Sequence, residues 1–132
     1  MAYMLLMVEP RGQRHTRTPE EGREVYARMV RWGENLKARG LLIASESLSL
    51  EDTPRVRVRA GKAQVVDGPF AEAKEMVGGF FHVACNTREE ALALAAECPA
   101  AEWCDVEVRS LMPCYEDAEA LKAAPQRLAS KG

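Results

Sequence analysis

The sequence predicts an α+β fold in which two helices cover one face of an antiparallel sheet. Three observations lead to this class: segments that alternate as strands do, two helix starts with capping residues, and the order of these elements. That order is β-α-β, then a β-hairpin, then β-α-β, which is the arrangement of a ferredoxin-like sandwich. A chain of 132 residues, 47% of them apolar, can bury one such core without disulfides or metals.

The strands of the two βαβ units are predicted over residues 2–9, 41–48, 78–85 and 103–111. Residues 2–9 and 80–85 are apolar in both phases of the alternation, which predicts that both faces of these strands are covered. Large apolar patches are rarely left in water. We therefore expect the sheet face without helices to pack against a second copy of the chain in a homodimer.

Each predicted helix begins at a capping threonine. Thr18 and Glu21 form a capping box for the first helix, and Gly40 marks its left-handed end. Thr87 and Glu90 form a second capping box for the other helix. In the first helix, the predicted apolar stripe consists of Val25, Met29, Trp32 and Leu36, and Tyr26 and Val30 widen it. In the second helix, it consists of Leu92, Ala95 and Ala96.

A hairpin is predicted between the two units, with strands at residues 55–59 and 63–66 and a turn at residues 60–62. Arginine alternates with valine in its first strand, which is typical of one wet face. This stripe is either a solvated surface or the place where Arg57 binds a ligand carboxylate. A loop follows over residues 67–77, and Gly78 and Gly79 are expected to permit a bulge or a close approach of strands.

Composition excludes several classes of protein. The net charge is −2, with 18 basic and 20 acidic residues, which argues against a direct nucleic-acid or membrane-surface binder. The apolar opening is too short to span a bilayer and lacks the features of a signal peptide, so we expect a cytoplasmic protein. The four cysteines have no metal-ligand spacing and are expected to be free thiols. One domain is expected over residues 1–113, with a short helix at residues 117–124 in the tail of residues 114–132.

Several segments resemble a known family. Val66 to Glu75 reads VDGPFAEAKE and is followed by GGFF at residues 78–81. The opening YMLL at residues 3–6, VRVR at residues 56–59 and VEVR at residues 106–109 occur in the same order as in that family. Over about residues 1–113, the chain is therefore identified by resemblance as a member of the YCII-related (DGPF) family.

The resemblance implies a dimeric α+β barrel built from ferredoxin-like subunits. Relatives in the wider superfamily include cofactor-free monooxygenases and lactone isomerases, and some DGPF proteins are encoded beside, or fused to, extracytoplasmic-function sigma factors. The His/Asp pair proposed for the YCII branch implies a catalytic role for Asp67, which matches the family's aspartate. No histidine lies between Thr18 and Gly40, so the partner of Asp67 stays open between His15 and His82.

The predicted catalytic residues are Asp67 and His82, and each has a structural alternative. Aspartate in a turn commonly binds the backbone amide two residues on, but Pro69 has no N–H, so the Asp67 carboxylate needs other partners. Asp67 is either a general acid or base at a pocket mouth or a residue that fixes the turn. His82 is either a catalyst or a satisfied histidine in the core or an interface.

Phe70, Lys74, Glu75 and Arg57 are the predicted ligand contacts. Phe70 alternatively anchors the loop on the body of the protein, and Lys74 and Glu75 alternatively pair with Asp67. Two functions follow, the first from these residues and the second from what the family resemblance implies. The first is a small-molecule pocket near the Asp67 loop with acid/base chemistry on a small organic acid and no cofactor or metal. The second is a non-catalytic dimeric binding or regulatory module that associates with a sigma factor.

Overall fold

The computed structural model describes residues 2–66 and 74–114. The strands are β1 (Ala2–Pro10), β2 (Leu42–Ser47), β3 (Arg55–Arg59), β4 (Lys62–Val66), β5 (Glu75–Ala84) and β6 (Asp105–Ser110). The α-helices are α1 (Pro19–Ala38) and α2 (Arg88–Glu97), and short 3-10 segments lie at Gln13–Thr16 and Pro99–Glu102. This order confirms the predicted one, whereas the predicted tail helix at residues 117–124 lies outside the described residues.

The main sheet has four antiparallel strands in the order β2-β5-β1-β6. The two strands of each βαβ unit are not neighbours, because β5 lies between β1 and β2, and β1 lies between β5 and β6. The two units are therefore interleaved in one sheet. This arrangement confirms the predicted α+β, ferredoxin-like fold.

One core lies between the sheet and the helices. Trp32 of α1 packs edge-on against Phe81 of β5, with ring centroids 4.7 Å apart. The same cluster contains Leu36 of α1 and Ala91 and Leu94 of α2. Because both helices contribute to a single core, they cover the same face of the sheet, as predicted.

β1 is buried on one face within this chain. Its helix-side residues Tyr3, Leu5 and Met7 are at most 7% exposed, while the alternate residues are only half-buried. On the second face, Met4 pairs with His82 and Leu6 pairs with Phe80. We call this second surface the open sheet face. We predicted that both faces of β1 are covered. Within the single chain, only the face toward the helices is covered.

The capping box of α1 forms as predicted. The Thr18 hydroxyl accepts from the Glu21 N–H at 3.1 Å, and the Glu21 carboxylate accepts from the Thr18 N–H at 2.8 Å. Gly40 ends the helix at φ 72°. The Leu41 N–H then donates to the Leu36 carbonyl at 2.9 Å, which satisfies one of the last carbonyls of the helix.

α2 differs from the prediction in two details. Its first turn is capped by Thr87, but the Glu90 carboxylate accepts from the N–H of Asn86, one residue before the cap. The predicted apolar stripe was wrong at Leu92, which is 40% exposed, and at Ala96, which is exposed. The buried set is Ala91, Leu94 and Ala95, because these positions share the helix face turned toward the sheet.

β5 begins earlier than the sequence predicts. Residues 75–77 were predicted as loop but pair with residues 8–10 of β1, because the antiparallel ladder continues past the two glycines. The register shifts at this point: Met7 pairs with Gly79, and Val8 pairs with Val77. Gly78 is therefore the extra residue of a bulge, which confirms the expected role of the glycine pair.

The hairpin of β3 and β4 forms a separate two-stranded sheet. Ala60 and Gly61 both have positive φ, at 52° and 74°, which is the geometry of a tight two-residue hairpin turn. The prediction of one wet face was wrong, because nearly every residue of both strands is exposed. The valine face alone leaves Val56, Val58 and Val65 between 58% and 67% exposed.

Candidate functional site

A cleft of about 550 Å³ runs between α1 and the neighbouring part of the sheet. One stripe of α1 lines it with the residues Gly22, Val25, Tyr26, Met29, Val30, Gly33, Glu34 and Lys37. The sheet contributes Met7 and Phe81, and the segment before β6 contributes Trp103 and Cys104. The volume lies within the range of about 300–1,000 Å³ that is usual for small-molecule sites, and the lining is mainly apolar with a few charged groups. We call this the helix–sheet cleft.

A buried ion pair lies in the lining of this cleft. Glu9 is 6% exposed. The Nε and Nη2 atoms of Arg14 donate to its two carboxylate oxygens at 2.9 and 2.7 Å. Arg14 also donates to the carbonyls of Leu48 and Gly78, both at 3.0 Å. Through these bonds Arg14 joins the ends of β1, β2 and β5. Because most of its N–H groups are used in this way, Arg14 has little capacity left to bind a ligand.

Gly78 makes room for the Glu9–Arg14 pair. A Cβ atom at position 78 would overlap the Glu9 carboxylate and would lie 2.6 Å from Nη2 of Arg14. Gly79 is equally confined, since a Cβ there would lie 2.9 Å from the backbone oxygen of Glu46 in β2. The two glycines therefore allow both the buried carboxylate and the close approach of β2 to β5.

Two arginines flank the indole of Trp103. The guanidinium carbons of Arg17 and Arg28 lie 5.7 and 5.4 Å from its ring centroid, within the range of cation–π attraction. The backbone carbonyl of Trp103 accepts a hydrogen bond from the side-chain amide of Gln13 at 2.6 Å, which also helps to hold Trp103 in place. Arg28 is also paired with Glu102, at 2.5 and 3.1 Å, and does not line the cleft.

The thiol in the cleft is not activated. Burial raises the pKa of Cys104 to about 11, with the carboxylate of Glu9 as a further cause. Burial likewise raises the pKa of Cys98 to about 11. Both side chains are therefore neutral thiols at neutral pH. Because the thiolate is the nucleophilic form of cysteine, neither thiol is activated. The four cysteines are free, as expected.

A second, smaller cleft lies on the other side of Arg14. Its volume is about 470 Å³, and its lining includes Arg11, Arg14, His15, Glu51 and Met76. His15 Nε2 lies 2.9 Å from a carboxylate oxygen of Glu51, and both side chains are exposed. We call this the His15 cleft. Arg14 lines both clefts, so the Glu9–Arg14 pair stands between them.

The predicted site residues are described only in part. Asp67 and Phe70 lie outside the described residues. His82 lies on the open sheet face, opposite the helix–sheet cleft, where its Nε2 atom is buried without a hydrogen-bond partner in the described part of the chain. Arg57 is exposed on the hairpin and donates to Gln64 at 3.0 Å. His82 and Arg57 are therefore not gathered into one site.

Lys74 and Glu75 are the predicted contacts that lie nearest to the clefts. The Arg11 N–H donates to the Lys74 carbonyl at 2.8 Å, and Glu75 pairs with Pro10. Both side chains are exposed. Lys74 and Glu75 thus lie at the end of β1, next to Glu9 and to the lining of the His15 cleft.

Sequence reasoning missed Glu9, Arg14 and Arg17. One signal for Glu9 was present, because it occupies the same inward phase of β1 as Tyr3, Leu5 and Met7. A carboxylate at the end of a buried phase needs a cationic or hydrogen-bonding partner. Its partner Arg14 comes from the loop after β1, in which the sequence shows no regular pattern.

The described residues contain no group of three or more metal-ligating side chains. Within residues 2–66 and 74–114, no helix is long and apolar enough to cross a membrane.

The fold and the cleft define the class: an α+β protein of ferredoxin-like topology with a pocket between its first helix and its sheet. The sequence model of the YCII-related domain matches residues 1–114, and the chain therefore belongs to the YCII-related family. A segment of 42 residues, 32% of the chain, is 45% identical to an uncharacterised protein of Rhizobium meliloti (strain 1021). The matched segment covers about a third of that relative, 34% of its length.

Proposed function

We propose that this YCII-family protein binds a small organic acid and performs cofactor-free acid/base chemistry on it, with Asp67 as the proton-transfer group. The observation that carries the proposal is the helix–sheet cleft, which combines an apolar lining with Glu9, Arg14 and Arg17. A cleft of about this volume with a few converging charged groups is the usual form of a small-molecule site.

The attachment of the signature segment supports a role for Asp67 at this site. The segment rejoins the described structure at Lys74, whose carbonyl is held by the N–H of Arg11. Residues 9 to 15 provide the Glu9–Arg14 pair and His15, which line one or both clefts. Asp67 precedes Lys74 by seven positions in sequence, and this closeness along the chain supports the proposal.

Of the two histidines, His15 is the one that lines a cleft of the described residues, which supports His15 as the partner of Asp67 in this proposal. His15 is exposed in the His15 cleft, where Glu51 already orients its ring at 2.9 Å. His82 lies on the opposite side of the sheet from the helix–sheet cleft, between Met4 and Ala44 of the neighbouring strands. Acid/base work requires hydrogen-bond reach to the substrate, which a residue behind the sheet does not have.

The proposal is tested by turnover of a panel of small organic acids and by ligand-induced stabilisation. The wild-type protein is compared with Asp67→Asn, which removes the ionisable proton site and keeps the shape. Glu72→Gln is the matched control, because it makes the same chemical change in the same segment at a position expected to be solvated. Loss of turnover in Asp67→Asn alone supports the proposal. Equal turnover in all three proteins refutes a catalytic role for Asp67.

A second candidate is a dimeric binding or regulatory module that works with an extracytoplasmic-function sigma factor. The open sheet face favours it, because Met4, Leu6 and Phe80 are only half-buried and Nε2 of His82 is buried without a partner among the described residues. Buried polar atoms are normally hydrogen-bonded. A second copy on this face would cover the apolar residues and could supply the acceptor or donor for His82.

Light scattering tests the dimer, and a binding assay tests the association with a sigma factor. We expect a dimer at micromolar concentration. The Leu6→Glu substitution should shift the equilibrium toward monomer, because it would bury a charge where the two open sheet faces meet. A wild-type monomer refutes the dimer. Retention of a purified sigma factor at near-native salt supports the regulatory module, and the absence of retention removes its main support.

A further inference from the structure

Arg17 lines the helix–sheet cleft as a cation without a paired carboxylate. Its guanidinium lies over Trp103, and no salt bridge between described residues involves it. Glu21, the carboxylate whose pKa the charge of Arg17 helps to lower, is engaged in the helix cap, and the Thr18 backbone N–H is the main cause of that lowered pKa. The place for an anion beside Arg17 is therefore not filled by the described part of the chain.

The other two cations that line the cleft, Arg14 and Lys37, are not placed to bind the same anion as Arg17. Arg14 is committed to Glu9 and to two backbone carbonyls. Lys37 is exposed and lies in the last turn of α1, about 27 Å along the helix from its first turn. Arg17 directly precedes that first turn, so a ligand of a few carbon atoms that contacts Arg17 does not reach Lys37.

The surroundings of Arg17 suit a ligand with an apolar body. Val25 and Met29 of α1 line the same cleft, together with Met7 of β1. Cys104 also lines it and is neutral, because burial raises its pKa to about 11. An anion in this position therefore meets one half-buried guanidinium and several apolar side chains, with the Glu9 charge already offset by Arg14.

We propose that Arg17, held over Trp103, binds the carboxylate of a monocarboxylic acid whose aliphatic or aromatic body lies along Met29 and Val25. This inference rests on the proposed function and narrows its substrate class from organic acids in general to apolar monocarboxylates. The guanidinium suits this role because it presents two parallel N–H donors to a carboxylate. Trp103 restricts the orientation of the guanidinium before the ligand arrives.

The experiment compares each acid with its neutral amide. The probes are hexanoate and hexanamide, and 4-phenylbutyrate and 4-phenylbutyramide, measured by calorimetry at low ionic strength. The proteins are wild type, Arg17→Gln, Arg17→Lys and Arg28→Gln. Arg28→Gln is the matched control, because Arg28 makes the same contact with Trp103 but pairs with Glu102 and does not line the cleft. Circular dichroism and thermal unfolding verify that each variant is folded.

We expect wild type to bind each acid at least about tenfold more tightly than its amide, as a charge-assisted hydrogen bond provides. Arg17→Gln should lose this preference while its amide affinity stays the same. Arg17→Lys should retain part of the preference, since it keeps the charge without the planar fork. Arg28→Gln should retain nearly all of it.

Four outcomes overturn the inference. The first is an Arg17→Gln variant that keeps the preference for the acid, and the second is an Arg28→Gln variant that loses it equally. The third is a wild-type protein that binds acid and amide with equal affinity, which removes the role of Arg17 but leaves the cleft as a binding site. A wild-type protein that binds none of the four probes refutes this inference, whereas the proposed function is judged separately by the Asp67→Asn comparison.

Discussion

Gly78 offers the sharpest test of how the cleft is built. Replacing it with alanine places a Cβ atom inside the volume of the Glu9 carboxylate and 2.6 Å from Nη2 of Arg14. The neighbour that must move is a 6% exposed carboxylate in an ion pair, so the substitution separates charges that lie away from water. Removing one partner of a fully buried pair costs about 3–5 kcal/mol.

The expected loss for Gly78→Ala is smaller than that upper range. The Arg14 side chain is 36% exposed, so water solvates part of the separated pair. We expect the free energy of unfolding to fall by about 2–3 kcal/mol. For a chain of this length, this corresponds to a melting temperature lower by about 10 °C. Urea unfolding and calorimetry measure both quantities.

Two controls isolate the cause. In the Glu9→Ala background the overlap is removed, so the Gly78→Ala step should cost about 1 kcal/mol or less. Gly22→Ala makes the same chemical change within α1, where a Cβ atom meets nothing within 4 Å, and it should stabilise the helix by about 0.5–1 kcal/mol. If Gly78→Ala costs the same with and without the Glu9 carboxylate, the overlap with that carboxylate is not the reason for the glycine.

Two further predictions concern titratable groups. Near neutral pH, iodoacetamide should modify the exposed Cys114 much faster than Cys98 and Cys104, because burial raises the pKa values of these two thiols to about 11. Peptide mapping over time measures the order of reaction, and a Cys104 that reacts first contradicts this prediction. Stability should also fall as the pH drops below about 4.5, because pairing with Arg39 and Arg28 lowers the pKa of Glu97 and Glu102 below that value in the folded chain. In this window the folded state binds fewer protons than the unfolded state, so acid favours unfolding. The Glu97→Gln, Glu102→Gln double variant should therefore show a free energy of unfolding that depends less on pH.

The fold was predictable because its signals are local. The capping box at Thr18, the left-handed Gly40 and the apolar strand segments of β1 and β5 are properties of neighbouring residues, and the structure confirms the cap, the helix end and the two strands. The bulge at the glycine pair was also expected. The error in α2 arose where the local signal is weak, since small alanines lie on several sides of that helix and only packing decides which face is buried.

The candidate site was harder to predict because its residues meet only through tertiary contacts. Arg14 bonds to Glu9, Leu48 and Gly78, which are up to 64 positions away in sequence. Trp103 is brought to Arg17 by the return of the chain into β6, across 86 positions (103 minus 17). Neither group forms a motif along the chain, so spacing rules do not detect them.

By itself, the sequence determined the class of the protein: its α+β order, its helix ends and its place in the YCII-related family. The element order and the helix ends follow from backbone propensity and apolar periodicity, which act over a few residues. The family follows from the similarity of the sequence itself over residues 1–114. Only the tertiary structure decided that Glu9 is buried against Arg14, that Arg17 lies over Trp103 in a cleft beside α1, and that His82 lies behind the sheet. The physical reason is that the partner of a charge is selected by burial and by strand register, and both exist only once the chain has folded.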